Sequence, residues 1–187
     1  TDAVLSAAYS PDGAQIVTAS TDGTARIWDS GTGQELRQLS GHTDMVFSAA
    51  YSPDGAQIVT ASGDDTARIW DAATGQEVRQ LSGHTSWVLS AAYSPDGAQI
   101  VTASADGTAR IWDAATNQEV RQLSGHTDRV NSAAYSPGGT QIVTASFDRT
   151  ARIWDGAIDD LLAVAARLIQ RDPPLLSPEE RRRYGLE

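Results

Sequence analysis

The sequence predicts an all-β fold of four sheets, each an antiparallel unit of four short strands, followed by a short helical tail. Three observations predict it. The stretch from Gly41 to Ser82 recurs almost letter for letter at a spacing of 42 residues, with Trp28, Trp70, Trp112 and Trp154 marking the register. Inside each copy, runs rich in Val, Ile and Thr alternate with turn residues at intervals too short for useful helices. Pro-Asp-Gly and Ala-Thr-Gly, the latter Ala-Thr-Asn in the third copy, interrupt the complete copies, which rules against a helical solenoid of similar period.

The copies divide the chain as 1–40, 41–82, 83–124 and 125–155. The first lacks only the leading Gly-His and the last stops after Trp-Asp. In the second copy, strand a is expected over Val46 to Ser52, followed by the Pro53-Asp54-Gly55 turn. Strand b runs from Gln57 to Ser62 and ends at Gly63-Asp64-Asp65; strand c runs from Thr66 to Asp71. After Ala72-Ala73-Thr74-Gly75 comes strand d, Gln76 to Ser82. Connections this short make neighbours antiparallel, so the a–b and c–d turns share one edge and the b–c and d–a turns share the other.

A single sheet with apolar residues on both faces cannot hide them, so the copies must stack face to face, as blades do around a propeller axis. Gly41-His42, Ser62-Gly63-Asp64 and Ile69-Trp70-Asp71 match, position for position, the motifs of the WD-repeat family. Over residues 1–155 the chain thus resembles a WD-repeat β-propeller. Four blades would be half or part of a larger ring. The last copy has no strand d, and none precedes Thr1, so two copies of the chain completing an eight-bladed ring are expected, within the usual ~4–8 blades. The other expectation is that the chain is a fragment of a longer one, in keeping with the absence of a starting Met.

Composition excludes several function classes. A net charge of −10 with 14 cations, all of them Arg, argues against the basic surface that nucleic acid needs. There is no Cys for disulfides or thiolate metal sites, and no signal peptide or apolar run long enough for a membrane. A soluble cytoplasmic module is the default expectation.

The polar residues shared by the second, third and fourth copies are His42, Thr60, Asp64 and Trp70; His84, Thr102, Asp106 and Trp112; and His126, Thr144, Asp148 and Trp154. A hydrolase reading of the His, hydroxyl and carboxylate is open, but catalysis needs one asymmetric pocket whereas this set recurs three times. The resemblance implies instead a buried hydrogen-bond chain: Asp orients His, His meets the Thr hydroxyl, and the hydroxyl accepts the indole N–H. The first copy keeps Thr18, Asp22 and Trp28 but has no His, so its blade is expected to be the loosest. Nothing has the spacing of a zinc site, a calcium loop or a P-loop, and no metal or cofactor is expected.

The copies disagree at only a few places. The start of strand a reads Ala3, Met45, Trp87, Arg129, and two residues later Leu5, Phe47, Leu89, Asn131. Around the turn Asp stand Thr21, Gly63, Ala105, Phe147 and then Gly23, Asp65, Gly107, Arg149. All fall on the b–c and d–a edge if residues two apart on a strand share a side. Neutral drift would also have touched the opposite edge, where Pro-Asp-Gly and the c–d turns change little before the last copy, and would not place large apolar groups where they cost solubility. In the resembled family these positions line the ligand-binding face. The expected site is therefore a rim of Met45, Phe47, Trp87, Leu89, Arg129, Asn131, Phe147 and Arg149 that binds a protein or peptide.

From Gly156 the repeat is lost. Ile158, Leu161, Leu162, Ala165, Leu168 and Ile169 fall at helical spacing, and Pro173-Pro174 ends that segment. Ser177-Pro178-Glu179-Glu180 then begins a second short helix bearing Arg181 to Arg183, read as a solvated face. This helical tail, residues 156–187, resembles the C-terminal extension of bacterial multidomain WD-repeat proteins, in which a propeller follows a signalling ATPase or kinase. The resemblance implies a non-catalytic sensor or scaffold module; an assembly role and, last, a hydrolase are the alternatives.

Overall fold

The computed structural model describes residues 2–156; the expected tail helices lie outside the described residues. Chain contacts separate Thr1–Gly156 as one compact unit. Its first blade is β1 (Val4–Tyr9), β2 (Gln15–Ser20), β3 (Thr24–Asp29) and β4 (Glu35–Ser40). The second is β5 (Val46–Tyr51), β6 (Gln57–Ser62), β7 (Thr66–Asp71) and β8 (Glu77–Ser82). The third is β9 (Val88–Tyr93), β10 (Gln99–Ser104), β11 (Ala109–Asp113) and β12 (Glu119–Leu123), and the fourth has β13 (Val130–Tyr135), β14 (Gln141–Ser146) and β15 (Ala151–Asp155). Each sheet is a meander in sequence order, antiparallel throughout, so the turn edges fall as the sequence predicts.

The alternation of side chains assigns the two faces of each sheet to two different neighbours. Val17, Ala19, Ala25, Ile27 and Leu39 of blade 1 pack against Val46, Ala49, Ile58, Trp70 and Ala72 of blade 2. The same positions of blade 2, Val59, Ala61, Ala67, Ile69 and Leu81, meet Val88, Ala91, Ile100, Trp112 and Ala114 of blade 3. Burial of β-branched and aromatic groups on both faces supplies the main stabilisation, roughly 1.5–3 kcal/mol per large side chain.

Polar pairs join the blades as well. Tyr51, Tyr93 and Tyr135 donate their hydroxyls to Gln15, Gln57 and Gln99 of the preceding blade at 3.2, 3.3 and 3.0 Å. The backbone N–H groups of Ala49, Ala91 and Ala133 donate to Ser6, Ser48 and Ser90. Burial beside Gln15 pushes the Tyr51 hydroxyl up to about 12.

One step in the sequence argument needs correction. Strand a does not alternate simply at its start: Val46 faces Ser62 but Ser48 faces Ala61, so Phe47 is an extra, bulged residue. The same shift separates Val88 from Ser90 in blade 3 and Val130 from Ser132 in blade 4. The bulge puts Val46 and Ala49, three residues apart, together in the core. Met45 and Phe47 therefore do not share a side by two-residue periodicity; the bulge re-aims the second of them.

Candidate functional site: a variable rim on a repeated hydrogen-bond scaffold

The rim rests on the b–c turn. In blade 2, Asp64 accepts from the backbone and hydroxyl of Thr66 through Oδ1, at 3.1 and 2.6 Å, which closes the turn. Its Oδ2 takes the backbone N–H of Thr43 at 3.1 Å and lies 2.8 Å from His42 Nδ1. His42 Nε2 is 2.7 Å from the Thr60 hydroxyl, which accepts the Trp70 indole N–H at 2.8 Å. These contacts fix one proton order: Trp70 to Thr60, Thr60 to His42 Nε2, and His42 Nδ1–H to Asp64.

Blades 3 and 4 repeat it. His84 stands 2.7 Å from Asp106 and 2.8 Å from Thr102, which takes Trp112 at 2.8 Å. His126 stands 2.7 Å from Asp148 and 2.8 Å from Thr144, which takes Trp154 at 2.8 Å. Each imidazole is 1% exposed. Burial holds the His42 imidazolium form down, outweighing its Asp64 partner. For Asp64, burial opposes ionisation, yet hydrogen bonds from Thr66 and His42 keep the carboxyl below its usual range. Asp106, against the same opposition from burial, is held low by His84 and Thr108. A hydroxyl whose hydrogen points at His and whose lone pair is taken by an indole is spoken for, so it is placed to brace a turn. In blade 1, Trp28 still donates to Thr18 at 2.8 Å, and Asp22 closes its turn on Thr24 and pairs with Arg26 at 3.2 Å.

What this brace presents is the variable rim. In every blade the residue before the turn Asp donates its N–H to the carbonyl at the start of strand a: Thr21 to Ala3, Gly63 to Met45, Ala105 to Trp87 and Phe147 to Arg129, at 2.9–3.0 Å. Two of the variable positions are thus backbone neighbours in each blade. In blades 2 and 3 a large residue on strand a stands beside a small one on the turn. In blade 4 both are large, and the Arg129 guanidinium lies 3.5 Å from the centre of the Phe147 ring.

Across the blade boundary, the Phe47 and Trp87 rings come within 5.7 Å, tilted by 39°. Trp87, Phe147 and Arg149 are exposed, while Met45, Phe47, Leu89, Arg129 and Asn131 are half-buried, less open than the sequence argument takes them to be. Arg149 occupies the left-handed region at φ 67°, as Asp65 does at 66° and Gly23 and Gly107 do at 81° and 84°. The last variable position therefore answers to a backbone demand as well as to any ligand. An Arg there costs about 1–2 kcal/mol relative to Gly.

The rare large residues gather here. The chain has one Met and two Phe, and Met45, Phe47 and Phe147 are all of them; four of its five Trp are the strand c residues whose indoles donate to Thr, and the fifth is Trp87.

At the opposite edge, grooves lie between consecutive blades. One of about 270 Å³ is lined by Pro11, Asp12, Asp54 and Gly55, and another of about 340 Å³ by Pro53, Asp54, Tyr93 and Asp96. Their carboxylates are occupied: Asp12, Asp54 and Asp96 each accept from the Ser two residues before and the backbone N–H two residues after. Among the described residues no group of three or more His, Asp or Glu is arranged to hold a metal ion.

The sequence reading missed the tyrosine–glutamine pairs and the serine bonds between blades. Their signal was available, since Tyr51 and Gln15 recur unchanged in every copy although the His-Thr-Asp-Trp set has no use for them.

The comparison with known families gives one result on this geometry. The profile of the family described as WD domain, G-beta repeat matches residues 1–29, 33–71, 75–113 and 117–155. No curated protein matches the chain.

Proposed function

The chain belongs to the WD-repeat family, whose propellers are protein-interaction or scaffold modules, and on that premise we propose that it recognises a peptide or protein segment on its variable rim. The segment carries an apolar residue beside an acidic one. It is seated against Trp87 and Phe47 at the apolar end and against Arg129 and Arg149 at the cationic end. The observation that carries this reading is the gathering of the chain's only Met, both its Phe and its one Trp outside the recurring Trp-Asp pairs at positions where otherwise near-identical blades differ. Aromatic and Arg side chains dominate the energetics of such contacts, and guanidinium groups pair well with carboxylates.

The module is non-catalytic in this reading, and serves as the sensor or scaffold part of a larger bacterial signalling protein. Chemistry would need one blade to hold a polar set that the others lack, and the His-Thr-Asp-Trp set stands in three.

The test is selection of peptides from a random library on the immobilised chain. Sequences pairing an aromatic or aliphatic residue with Asp or Glu are expected, and their binding should fall on Arg129→Ala. Peptides without acidic residues, or binding that survives both Trp87→Ala and Arg129→Ala yet disappears when residues 156–187 are removed, would move the site off the rim.

A further inference from the structure

The rim changes sign from blade 2 to blade 4. Asp65 and Arg149 occupy the same place after the turn Asp, in the same left-handed conformation, at φ 66° and 67°. Gly107 holds that place in blade 3, which lies between them. The backbone therefore sends an anion and a cation off the turn alike, on the two blades that flank blade 3. At the start of strand a, Met45 in blade 2 answers to Arg129 in blade 4.

Blade 2 adds a second carboxylate to this corner. Asp44 Oδ1 accepts the Met45 N–H at 2.6 Å, and its carboxylate lies against the turn, since a Cβ on Gly63 would stand 3.0 Å from it. The Gly63 N–H bonds the Met45 carbonyl at 2.9 Å and so ties the two carboxylate-bearing segments together. Blade 3 has Ser86 in the place of Asp44. Blade 4 has Asp128 there, on the Arg129 N–H at 2.7 Å, but Arg129 and Arg149 outnumber it. The turn aspartates Asp64, Asp106 and Asp148 drop out of the comparison, because each of these blades has one and each is bonded to a His. Arg68 is taken by Asp64 and Glu77, and among the described residues no ion pair engages Asp44, Asp65, Arg129 or Arg149. Between the two charged corners stands the apolar step of Phe47 and Trp87.

We infer that the ligand of this rim is a bipolar segment, with a basic residue over Asp44 and Asp65, an apolar residue on Trp87 and an acidic residue over Arg129 and Arg149. This rests on rim recognition of an apolar and an acidic residue, and adds the third contact and the order of all three. Exposed charges are screened beyond ~8–10 Å, so each corner acts on the residue seated there rather than on the total charge of the ligand. A segment with acidic residues on both sides of its apolar one sets like charges together on blade 2, which is how a charged surface rejects a wrong partner.

The test is the peptide selection carried out side by side on the wild-type chain and on the double variant Asp44→Asn/Asp65→Asn. Both substitutions keep a side-chain carbonyl acceptor and suit the left-handed backbone of position 65, so far-UV circular dichroism should be unchanged. The wild-type chain should enrich Lys or Arg on one side of the apolar residue and Asp or Glu on the other. The double variant should keep the apolar and acidic residues and lose the basic preference. Replacing the basic residue of a selected peptide by Gln should weaken its binding to the wild-type chain by about fivefold at low salt, the upper range for an exposed ion pair, and change nothing on the double variant. Three outcomes would each overturn the inference while leaving rim recognition standing: acidic and apolar enrichment without a basic residue, both charges on the same side of the apolar residue, or a basic preference that the double variant retains. The last would trace the preference to the chain's overall charge of −10. Peptides enriched in neither apolar nor acidic residues would sink rim recognition itself, and this inference with it.

Discussion

Blade 3 holds two tryptophans with opposite lives. Trp112, on β11, is 2% exposed, donates to Thr102 at 2.8 Å and packs against Val59 and its neighbours from blade 2; Trp87, just ahead of β9, is 44% exposed and touches Phe47 across the blade boundary. The first recurs in every copy, and the second stands alone at its position. Along the b–c and d–a edge, recurrence goes with burial and hydrogen-bond closure, and departure from the repeat goes with greater exposure. The b–c turn compresses the contrast into three residues: the closing Asp64 is the same in every copy, while Gly63 and Asp65 on either side of it change.

The widest gap between the two regions should be seen by truncating each tryptophan. Trp112→Ala is expected to cost about 3–5 kcal/mol in urea unfolding, the range for emptying a filled core site. Trp87→Ala should cost far less, about 1 kcal/mol, because nearly half of its surface is already open to solvent. Equal losses would erase the distinction between core and rim.

Next in size is the brace itself. His84→Ala leaves Asp106 and Thr102 without a partner in a buried place, so a loss of about 1–3 kcal/mol is expected with peptide affinity preserved. With Asp106→Ala added, the double variant should lose less than the sum of the two single losses, because both remove the same contact. An unchanged melting temperature with abolished function would revive the hydrolase reading.

Acid should find the brace before the rim. Burial lowers the pKa of His42 in the fold from its ordinary 6.5, so the unfolded chain binds the extra proton first. That contribution is complete above pH 6.5 and is lost as pH falls through the lowered folded value. The turn aspartates Asp64 and Asp106, held below the ordinary 3.8, withdraw their contributions only as pH drops beneath 3.8. Chemical unfolding at stepped pH should therefore show a first decline beginning near 6.5 and a second beginning near 3.8. In His42→Gln the first decline should shrink.

The smallest expected effect has the opposite sign. Arg149→Gly relieves about 1–2 kcal/mol of left-handed strain, offset in part by the freedom Gly adds to the unfolded chain, so the protein should gain up to about 1 kcal/mol net while its affinity for an acidic peptide falls. A loss of stability would mean that the Arg149 side chain supports the blade.

Much of this was legible in the chain. The 42-residue register and the turn residues place every strand of blade 2 to within a residue of where it lies, because meander topology follows from short connections alone. The bulge at Phe47 was not, since no Gly or other special residue marks it and only the pairing partners Ser62 and Ala61 reveal the shift. The contact of Phe47 with Trp87 depends on how two blades lean together, which a repeat unit read singly does not contain. The stacking of Arg129 on Phe147 likewise needs the backbone bond that brings the turn to the start of strand a.

The division between scaffold and recognition is tested most directly by measuring peptide affinity and thermal stability together on Trp87→Ala. Loss of this anchor should weaken a selected peptide by about 2 kcal/mol or more, roughly thirtyfold in Kd, with the melting temperature almost unmoved. Unchanged affinity, or affinity that falls only in step with the melting temperature, would contradict the assignment of recognition to the rim.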